Sequence, residues 1–486
     1  MDERLLTADD LRLAPGRGQR SPWLREALAD EGDPAPLPPL AGPISADVAI
    51  VGGGYTGLWT AHELLSRDPS LGVVVLEADI CGGGPSGRNG GFVLSWWEEA
   101  ANLLGAFGAD AARAAIDESV ASVRAIGAWC AANGVDAHYR AGGELVVSTT
   151  PAHDERIAGD AALAARLGDP DALQALSAEE VAARCRSPRF RGATFVRDTA
   201  TVHPARLVRA LRRRCLELGV TMHEGTRVVR IRQDGPGVRL ETDGGGEVRA
   251  RRAVLAVNAW ATGWAPARHR VLAWGSYMVR TEPIPDLVRD VLGWTGGEAI
   301  VDARASVHYL HVTADGRIAI GAGGGQPGYG GRIGSSFTDD VDSARRAAFA
   351  FRWFFPGLRE VRLTDAWGGP IDVSPDHLPH AWRAMGGRML VTTGFSGNGV
   401  GPSHLVGRIL AALALDSDEP ITRLPIVGRP SPPFPPEPFR HVGARIMRAA
   451  INRREDAEEA GRRASWPLRV LSGVPRRLGY RLGPGD

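Results

Sequence analysis

Residues 46–57, ADVAIVGGGYTG, constrain the fold of this chain more than any other stretch. The first half has the apolar pattern of a strand buried on both faces, and Gly52, Gly54 and Gly57 follow at the G-x-G-x-x-G spacing. The first glycine permits a tight turn, the second lets a pyrophosphate approach the backbone, and the third lets the next helix pack against the strand. Because a helix N-terminus favours an anion, the segment predicts a dinucleotide site.

A second apolar strand pattern, residues 73–76, ends at Glu77, twenty residues past Gly57 (77 − 57 = 20). In dinucleotide-binding units a carboxylate at about this distance binds a ribose hydroxyl. A plain tight turn without a ligand is the alternative, but strand, helix, strand and terminal acid together favour the dinucleotide. The predicted contacts in this unit are Gly52, Gly54, Tyr55, Thr56, Gly57, Glu77 and Ala78.

Residues 81–92, CGGGPSGRNGGF, form a second loop with six glycines among twelve residues. Such a segment does not build a core, so the loop either wraps closely around a ligand or is mobile. Its position directly after the ribose acid favours the ligand. The predicted contacts here are Ser86, Gly87, Arg88, Asn89, Gly90 and Gly91.

Composition limits the class of protein. The chain has 486 residues, 44% of them hydrophobic, and a formal net charge of +1, which is typical of a globular protein with more than one domain and not of a nucleic-acid-binding one. The charged N-terminus lacks the apolar core of a secretory signal, and no apolar run approaches the ~18 residues of a membrane span. Four scattered cysteines suit reduced thiols without a metal site. We therefore expect a cytoplasmic protein.

The rest of the chain alternates between helical and strand patterns. Helical periodicity covers about 98–132 and about 151–184. Three short strands between 226 and 251, separated by Asp-Gly turns, predict an antiparallel meander, and a buried strand follows from 253 to Asn258. His203, just before a proline, is interpreted as a helix cap or packing residue and not as a ligand.

These features resemble the flavin-dependent amine oxidoreductases of the D-amino-acid oxidase family, which includes glycine and sarcosine oxidases and gamma-glutamylputrescine oxidase. The resemblance covers about residues 45–415 and rests on the first glycine motif with Glu77, the SGRNGGF loop, the strand ending in AVNAW and the late segment GFSGNGVGPSH. It implies that FAD occupies the dinucleotide site. It also implies oxidation of an amine or amino acid by hydride transfer to flavin, hydrolysis of the resulting imine, and reoxidation by dioxygen or another acceptor.

The resemblance implies an α/β fold with a split Rossmann-like FAD-binding domain and an inserted antiparallel-sheet substrate domain. The implied boundaries are 1–45 for an N-terminal lead-in over the domain surface, 46–100, 196–268 and 361–424 for the FAD-binding domain, 101–195 and 269–360 for the substrate domain, and 425–486 for a Pro-rich linker and basic tail.

Further FAD contacts follow from the resemblance. They are Val228, Asn258, Gly397, Asn398, Gly399, Val400 and Gly401. In relatives the helix that begins here meets the flavin pyrimidine, where its dipole stabilises the negative charge of the reduced ring. No cysteine lies beyond Cys215 and neither glycine loop contains a histidine, so we expect noncovalent FAD.

The substrate residues are less well determined. Strand alternation places Tyr309 and His311 on one face and His308 on the other, and Tyr277 lies on an earlier strand. In relatives, aromatic and basic groups on this sheet hold the substrate's carboxylate or amine, so these four residues are candidates for substrate binding. The alternative, that their rings only cover the sheet, stays open. The sequence identifies no catalytic residue.

The C-terminal tail differs in composition from the rest. Residues 440–481 hold eleven arginines and four acids, a local net charge of +7 (11 − 4 = 7), and Val442, Ile446 and Met447 fall at helical spacing beside the arginines. This pattern favours docking on the parent domain. Attachment to an acidic partner or a membrane surface is the alternative.

Two other functions remain open at this stage. One is a flavoprotein that serves as a binding or electron-relay subunit without its own amine substrate, which bleaching of the flavin by an added amine would exclude. The other is an NAD-dependent dehydrogenase, against which the second glycine loop and the late helix start both argue.

The chain contains no lysine, so all 57 basic residues are arginines. In several oxidases that this chain resembles, a lysine over the flavin helps dioxygen accept its first electron, because a preorganised cation stabilises developing superoxide. An arginine or a protonated histidine would have to replace it, although a guanidinium is wider and prefers planar partners, and His308 and His311 are the candidates. We predict slow reoxidation by dioxygen and faster turnover with an artificial acceptor. Stopped-flow mixing of reduced protein with air-saturated buffer measures this rate, and reoxidation at neutral pH as fast as in lysine-bearing relatives would contradict the prediction.

Overall fold

The structure is a computed structural model that describes residues 3–16, 18–429 and 432–481. The strands are β1 (Pro43–Val51), β2 (Val73–Leu76), β3 (Phe92–Val93), β4 (Glu144–Ser148), β5 (Leu173–Ser177), β6 (Gly192–Val196), β7 (Ala200–Thr201), β8 (Thr221–His223), β9 (Val228–Asp234), β10 (Gly237–Thr242), β11 (Glu247–Leu255), β12 (Leu272–Thr281), β13 (Ala299–Asp302), β14 (His308–Val312), β15 (Ile318–Ala322), β16 (Leu363–Val373), β17 (His380–Ala384) and β18 (Met389–Thr393). The helices are α1 (Ala8–Arg12), α2 (Pro22–Asp30), α3 (Tyr55–Arg67), α4 (Ala100–Phe107), α5 (Ala109–Ala132), α6 (Pro151–Arg166), α7 (Ala178–Ala182), α8 (Pro204–Glu217), α9 (Val341–Phe354), α10 (Val400–Ala414), α11 (Phe439–Glu459), α12 (Trp466–Ser472) and α13 (Val474–Arg477).

The first sheet has the strand order β17-β18-β11-β1-β2-β8. Neighbouring strands from β18 to β8 are parallel, and β17 is an antiparallel edge strand. Strand β2 is buried along its whole length, which is typical of a parallel strand covered by helices on both faces. This sheet confirms the predicted Rossmann-like α/β fold.

The predicted meander is present, but its third strand is longer than predicted. Strand β10 pairs with the first half of β11, whereas β1 pairs along all of β11, from Pro43 beside Glu247 to Val51 beside Leu255. The predicted short strand and the buried strand after it are therefore one strand. The first half of β11 is polar and pairs with β10, whereas the second half is apolar and pairs with β18. This change in composition along one strand is why the sequence predicted two.

The second sheet has the order β16-β12-β15-β14-β13-β4-β6-β5 and is antiparallel except where β13 meets β4. Strand β5 lies inside residues 151–184, which were predicted to be helical. The helix prediction is therefore wrong for the residues of β5. Five residues with an ambiguous pattern form a strand here because β6 supplies the hydrogen-bonding partner.

Two elements pack in a different domain from the one to which the predicted boundaries assign them. Strand β16, assigned to the FAD-binding part, pairs with β12 in the second sheet. Helix α5, assigned to the substrate part, packs in one hydrophobic core with α3 and α10, where Ile116, Leu58 and Leu405 are all fully buried. The apolar face of a helix does not indicate which sheet will cover it.

The N-terminal lead-in is more deeply integrated than a surface segment. Trp23 of α2 is only 1% exposed, and its Nε1–H donates to the Asn89 carbonyl in the second glycine loop at 3.1 Å. Arg352 of α9 forms a buried ion pair with Asp10 of α1 at 2.8 Å. The prediction that this segment only lies over the surface is therefore wrong.

His203 has the capping role that the sequence predicts, because its Nδ1 accepts the Arg206 N–H at the start of α8 at 3.2 Å. The four cysteines are free and buried. Among the helices in the described ranges, none is long and apolar enough to cross a bilayer.

Candidate active site

The first glycine motif lies at the carboxyl end of β1, where α3 begins. Gly52 has φ +112°, and a Cβ atom there would lie 2.4 Å from the Ala256 carbonyl oxygen. A Cβ atom at Gly57 would lie 2.0 Å from the Gly52 carbonyl oxygen. No other residue type fits these two positions, so α3 can pack directly against β1 with its N-terminus at the end of the strand.

Glu77 lies beside this helix start. Its Oε2 accepts the Gly53 N–H at 2.7 Å and its Oε1 accepts the Asp79 N–H at 2.8 Å. Burial raises the pKa of the carboxyl group. The first residue of α3 follows Gly54, which has no side chain to cap the helix. Ser86 Oγ accepts the N–H of Tyr55, and the next N–H groups of the first turn are left for an anion, while the carboxylate of Glu77 is held in a fixed orientation.

Most of the predicted cofactor contacts line one cavity of about 540 Å³ at the carboxyl ends of β1, β2 and β11. We call it the nucleotide cavity. The predicted contacts that line it are Gly52, Gly54, Tyr55, Thr56, Glu77, Ala78, Ser86, Arg88, Asn89, Val228, Asn258, Gly397, Gly399 and Val400. Residues that are far apart in sequence thus meet on one surface.

The other predicted cofactor contacts lie outside this cavity. Gly90 and Asn398 line the neighbouring cavity instead. The remaining ones are Gly57, Gly87, Gly91 and Gly401. A Cβ atom at any of these four would lie 2.0 to 2.3 Å from a backbone carbonyl oxygen. They are packing glycines behind the cavity wall. The prediction included them because a glycine-rich sequence does not distinguish close packing from ligand contact.

The second glycine loop is held by its own polar groups. The Tyr55 N–H donates to Ser86 Oγ at 2.9 Å, Asn89 Nδ2 donates to the Ser86 carbonyl at 2.9 Å, and Asn89 Oδ1 accepts the Gly91 N–H at 2.8 Å. The Arg88 guanidinium donates to backbone carbonyl groups, including that of Gly83 at 3.1 Å. These bonds fix the loop against α3 and favour the ligand-wrapping interpretation.

A second cavity, of about 500 Å³, adjoins the first; we call it the substrate cavity. The residues that line both cavities are Pro85, Arg88, Asn89, Pro370, Ile371, Gly397 and Val400. Apolar groups such as Phe92, Trp274 and Met278 form much of its wall. Ser276 and Tyr309 add a pair of hydroxyl groups 2.9 Å apart. This arrangement suits a small organic molecule held beside the nucleotide cavity.

Of the four predicted substrate residues, only Tyr309 lines the substrate cavity. Tyr277 points to the opposite face of β12, because its neighbours Ser276 and Met278 line the cavity, and its hydroxyl donates to the Ser336 carbonyl. His308 likewise faces away from the cavity, with its Nδ1 2.6 Å from a carboxylate oxygen of Asp302.

His311 lies on the same face of β14 as Tyr309 but behind the cavity wall, where it packs against Trp23 and Phe92. Its ring nitrogens have no hydrogen-bond partner among the described residues, and burial lowers its pKa to about 4. His311 is therefore neutral near pH 7. Neither His308 nor His311 lines either cavity, so these two candidates for replacing the missing lysine were wrong. The arginine alternative and the slow reoxidation stay predictions.

Asp372 is a site residue that the sequence analysis missed. It is fully buried at the end of β16 and lines the nucleotide cavity. Its carboxylate accepts hydrogen bonds from the Gly394 N–H at 2.6 Å, Thr393 Oγ1 at 2.9 Å and Asn258 Nδ2 at 2.8 Å. Burial raises its pKa to about 6. Asp372 thus joins the second sheet to the ends of β11 and β18 in the first.

A pair of carboxyl groups at the substrate cavity was also missed. Glu98 lines the cavity and lies 3.5 Å from Asn398 Nδ2. Glu144 of β4 is fully buried, and burial raises the pKa of its carboxyl group, with the neighbouring Glu98 acting in the opposite direction. No arginine or histidine forms an ion pair with Glu144 in the described ranges. Two adjacent carboxyl groups share a proton more readily than they both ionise. No sequence motif marks this pair, because its members come from different elements.

The comparisons with known proteins agree with this geometry. The FAD dependent oxidoreductase family, abbreviated DAO, matches residues 47–413, and the chain belongs to this family. It is 29% identical to the probable oxidoreductase OrdL of Rhizobium meliloti (strain 1021) over 392 residues, which are 78% of this chain and 85% of that protein. It is 27% identical to gamma-glutamylputrescine oxidoreductase of Escherichia coli (strain K12) over 383 residues, 78% of this chain and 86% of that protein.

Solved structures share the fold at lower identity. Glycine oxidase from Geobacillus kaustophilus superimposes with a TM-score of 0.64 and 21% identity, covering 80% of this chain and all of that one. L-Proline dehydrogenase from P. horikoshii gives a TM-score of 0.64 and 20% identity, covering 79% of this chain and 96% of that one. The chain is therefore an FAD-dependent oxidoreductase, which excludes the NAD-dependent alternative. The glycine cradle, the uncapped helix start and Glu77 fit the dinucleotide part of FAD.

Replacing Glu77 should weaken FAD binding. Charge-assisted hydrogen bonds to ribose hydroxyls are worth roughly 1.5–3 kcal/mol, so Glu77→Ala should raise the Kd for FAD by about tenfold or more. Fluorescence titration of the apoprotein with FAD measures this. Asp47→Ala is the control, because Asp47 also accepts a backbone N–H, from Gly72 at 2.9 Å, but lies outside the nucleotide cavity. Equal FAD affinity in the wild type and Glu77→Ala would refute the role of Glu77.

Asp372 should make stability depend on pH. Its pKa of about 6 lies above the unfolded value of 3.8, so between these values the folded protein binds more protons. The contribution of Asp372 to the free energy of unfolding should therefore fall as pH rises from about 4 to about 6, by on the order of 3 kcal/mol. Urea unfolding of wild type and Asp372→Asn across this range measures the difference.

The matched control is Asp376→Asn. Ion pairs with Arg429 and His380 lower the pKa of Asp376, so its stabilising contribution is present above the unfolded pKa and is lost only as pH falls. The difference in free energy of unfolding between wild type and Asp376→Asn should not shrink as pH rises from 4 to 6. If the difference in free energy of unfolding between wild type and Asp372→Asn is constant over the same range, Asp372 is not the source of the pH dependence.

Proposed function

We propose that this chain oxidises the carbon–nitrogen bond of a small amine or amino acid, with hydride transfer to FAD and hydrolysis of the imine by water. The observation that carries the proposal is the substrate cavity, which shares a wall with the nucleotide cavity and is lined by the half-buried Glu98. Support also comes from the relatives, whose names specify gamma-glutamylputrescine and glycine as substrates.

The carboxyl pair favours a cationic substrate group. The fully buried Glu144 beside the half-buried Glu98 is costly unless a proton or a cation compensates their charges. Glu98 reaches the cavity wall, so a substrate ammonium group there would form an ion pair and could leave its proton on the carboxylate before oxidation. Amine oxidation by hydride transfer needs the neutral amine, and Glu98 is the residue that we propose to hold that proton.

FAD, when bound, supplies the hydride acceptor. The chain positions the reacting groups around it. Helix α10 begins at Val400, which lines both cavities, and its uncapped N-terminus favours negative charge at this junction. The apolar walls formed by Phe92, Trp274 and Met278 exclude water from the amine. Noncovalent attachment of FAD, and dioxygen or another acceptor as the oxidant, belong to this proposal.

We also infer that the C-terminal segment docks on its own chain and not on an acidic partner or a membrane. Arg304, 6% exposed in the loop after β13, pairs with Glu455 at 3.2 Å and Glu459 at 2.5 Å on α11. The Ala305 N–H donates to Glu455 Oε1 at 2.6 Å. Breaking a buried pair of this kind costs about 3–5 kcal/mol, so the acids of the tail support docking on the parent chain. A cytoplasmic location is proposed from composition alone.

The proposed reaction predicts flavin bleaching by an amine. The purified holoprotein is mixed anaerobically with primary and secondary amines and amino acids, and the visible absorbance of the oxidised flavin is followed. A function as an electron-relay subunit is favoured by no contact in the structure, and it predicts a flavin that no amine reduces. Failure of every amine class to bleach the flavin would therefore overturn the proposal.

The same titration tests the carboxyl pair. Glu98→Gln keeps the shape of the side chain but removes the charge, so the Kd of the amine that bleaches the flavin should rise by about tenfold or more. Glu118→Gln is the matched control, because Glu118 pairs with Arg408 outside both cavities. An unchanged amine Kd in Glu98→Gln, with normal FAD content, would remove Glu98 from substrate binding.

A further inference from the structure

The outer wall of the substrate cavity comes from the C-terminal segment. Residues 47–413 account for the whole family match, yet the cavity is also lined by residues beyond it. They include Phe434, Phe439, Met447, Arg448, Leu478 and Tyr480. This wall therefore lies outside the region that the chain shares with the family, and its chemistry is a property of this chain.

Several contacts fix the segment over the cavity. Ser306 Oγ donates to Asn452 Oδ1 at 2.9 Å, next to the Arg304 cluster on α11. At the other end, the Arg481 N–H donates to the Pro375 carbonyl at 2.8 Å, and the rings of Phe434 and Tyr480 stack with centroids 5.6 Å apart. Helix α11 is thus held on the loop after β13, which sets the position of the side chains that it presents to the cavity.

Arg448 of α11 is a cation at this wall without a carboxylate partner. Its Nε donates to the Gly324 carbonyl, which also accepts from Arg346 of α9 at 3.5 Å. Neither arginine has a carboxylate oxygen within 4.0 Å in the described ranges, whereas Arg440 of the same helix pairs with Glu437 at 2.9 Å. Two cations therefore converge on one carbonyl oxygen.

The charge on Arg448 is maintained in this environment. The residue is half-buried, and burial together with Arg346 lowers its pKa to about 10, which leaves it protonated near pH 7. A half-buried guanidinium with free N–H groups gains most from a planar anion, since carboxylates accept two parallel hydrogen bonds from arginine.

We propose that Arg448 binds a carboxylate of the substrate at the wall formed by the C-terminal segment. This inference rests on the proposed amine oxidation and narrows it: the substrate is an amine that also carries a carboxylate remote from the reacting nitrogen. Glu98 would bind the cationic end near the junction of the cavities, and Arg448 the anionic end. The substrate thus bridges two opposite charges across an apolar cavity, which gives specificity over simple alkylamines.

Binding of a carboxylate without turnover tests the site. Isothermal titration calorimetry of the FAD-loaded protein at pH 7 uses glutarate, a dicarboxylate without an amine, and glutaramide, its uncharged counterpart. Wild type should bind glutarate at least about tenfold more tightly than glutaramide. Arg448→Gln should lose this preference, and Arg448→Lys should keep part of it because the charge remains.

Arg445→Gln is the matched control, because Arg445 lies one turn earlier on α11, is exposed, and does not line the cavity. Its glutarate affinity should stay within about twofold of wild type, as expected for a screened surface charge. Circular dichroism and FAD content check that each variant is folded. Equal affinity of wild type for glutarate and glutaramide would overturn the proposal, as would an unchanged preference in folded Arg448→Gln.

The calorimetry and the flavin titration separate the two proposals. Glutarate binding through Arg448 together with a flavin that no amine reduces would refute the proposed oxidation and leave the carboxylate site standing. Flavin bleaching by amines together with a glutarate preference that does not depend on Arg448 would refute only the carboxylate site.

Discussion

The close contact between Gly57 and the carbonyl oxygen of Gly52 is the constraint on which the rest of the site depends. It brings α3 against β1 so closely that a methyl group would clash at 2.0 Å, and it therefore fixes the helix N-terminus at the end of the strand. Because β2 pairs with β1 in parallel, Glu77 arrives at the same edge. The anion-binding N–H groups and the ribose-binding carboxylate are thus placed together by backbone packing.

The substrate cavity exists because a second sheet meets this edge. Strand β16 is an edge strand of the second sheet, and Asp372 near its end accepts hydrogen bonds from groups at the ends of β11 and β18. A fully buried carboxylate with three donors is stabilised only while all three stay in place. Asp372 therefore ties the end of the second sheet to the first sheet at the wall of the nucleotide cavity.

Much of the fold could be predicted from short segments whose patterns have one physical explanation. The first glycine motif, the buried strand before Glu77 and the helix cap at His203 all agree with the structure. The errors share a cause. Strand β5 was taken for helix, Tyr277 and His308 were taken for substrate contacts, and Gly87 and Gly91 for cofactor contacts. In each case the pattern determines a local conformation, but the neighbour that the residue faces is set by residues distant in sequence.

The sequence by itself determined the dinucleotide unit, the membership in a flavin-dependent family and the absence of lysine, because these depend on residue types at fixed spacing. Only the tertiary structure decided that Glu98 reaches the substrate cavity, that Asp372 joins the sheets, and that α11 brings Arg448 to the same cavity. These groups come from segments up to several hundred residues apart, and charges that meet across such distances leave no periodic signal in the chain. Their arrangement follows from how the two sheets and the C-terminal helices pack.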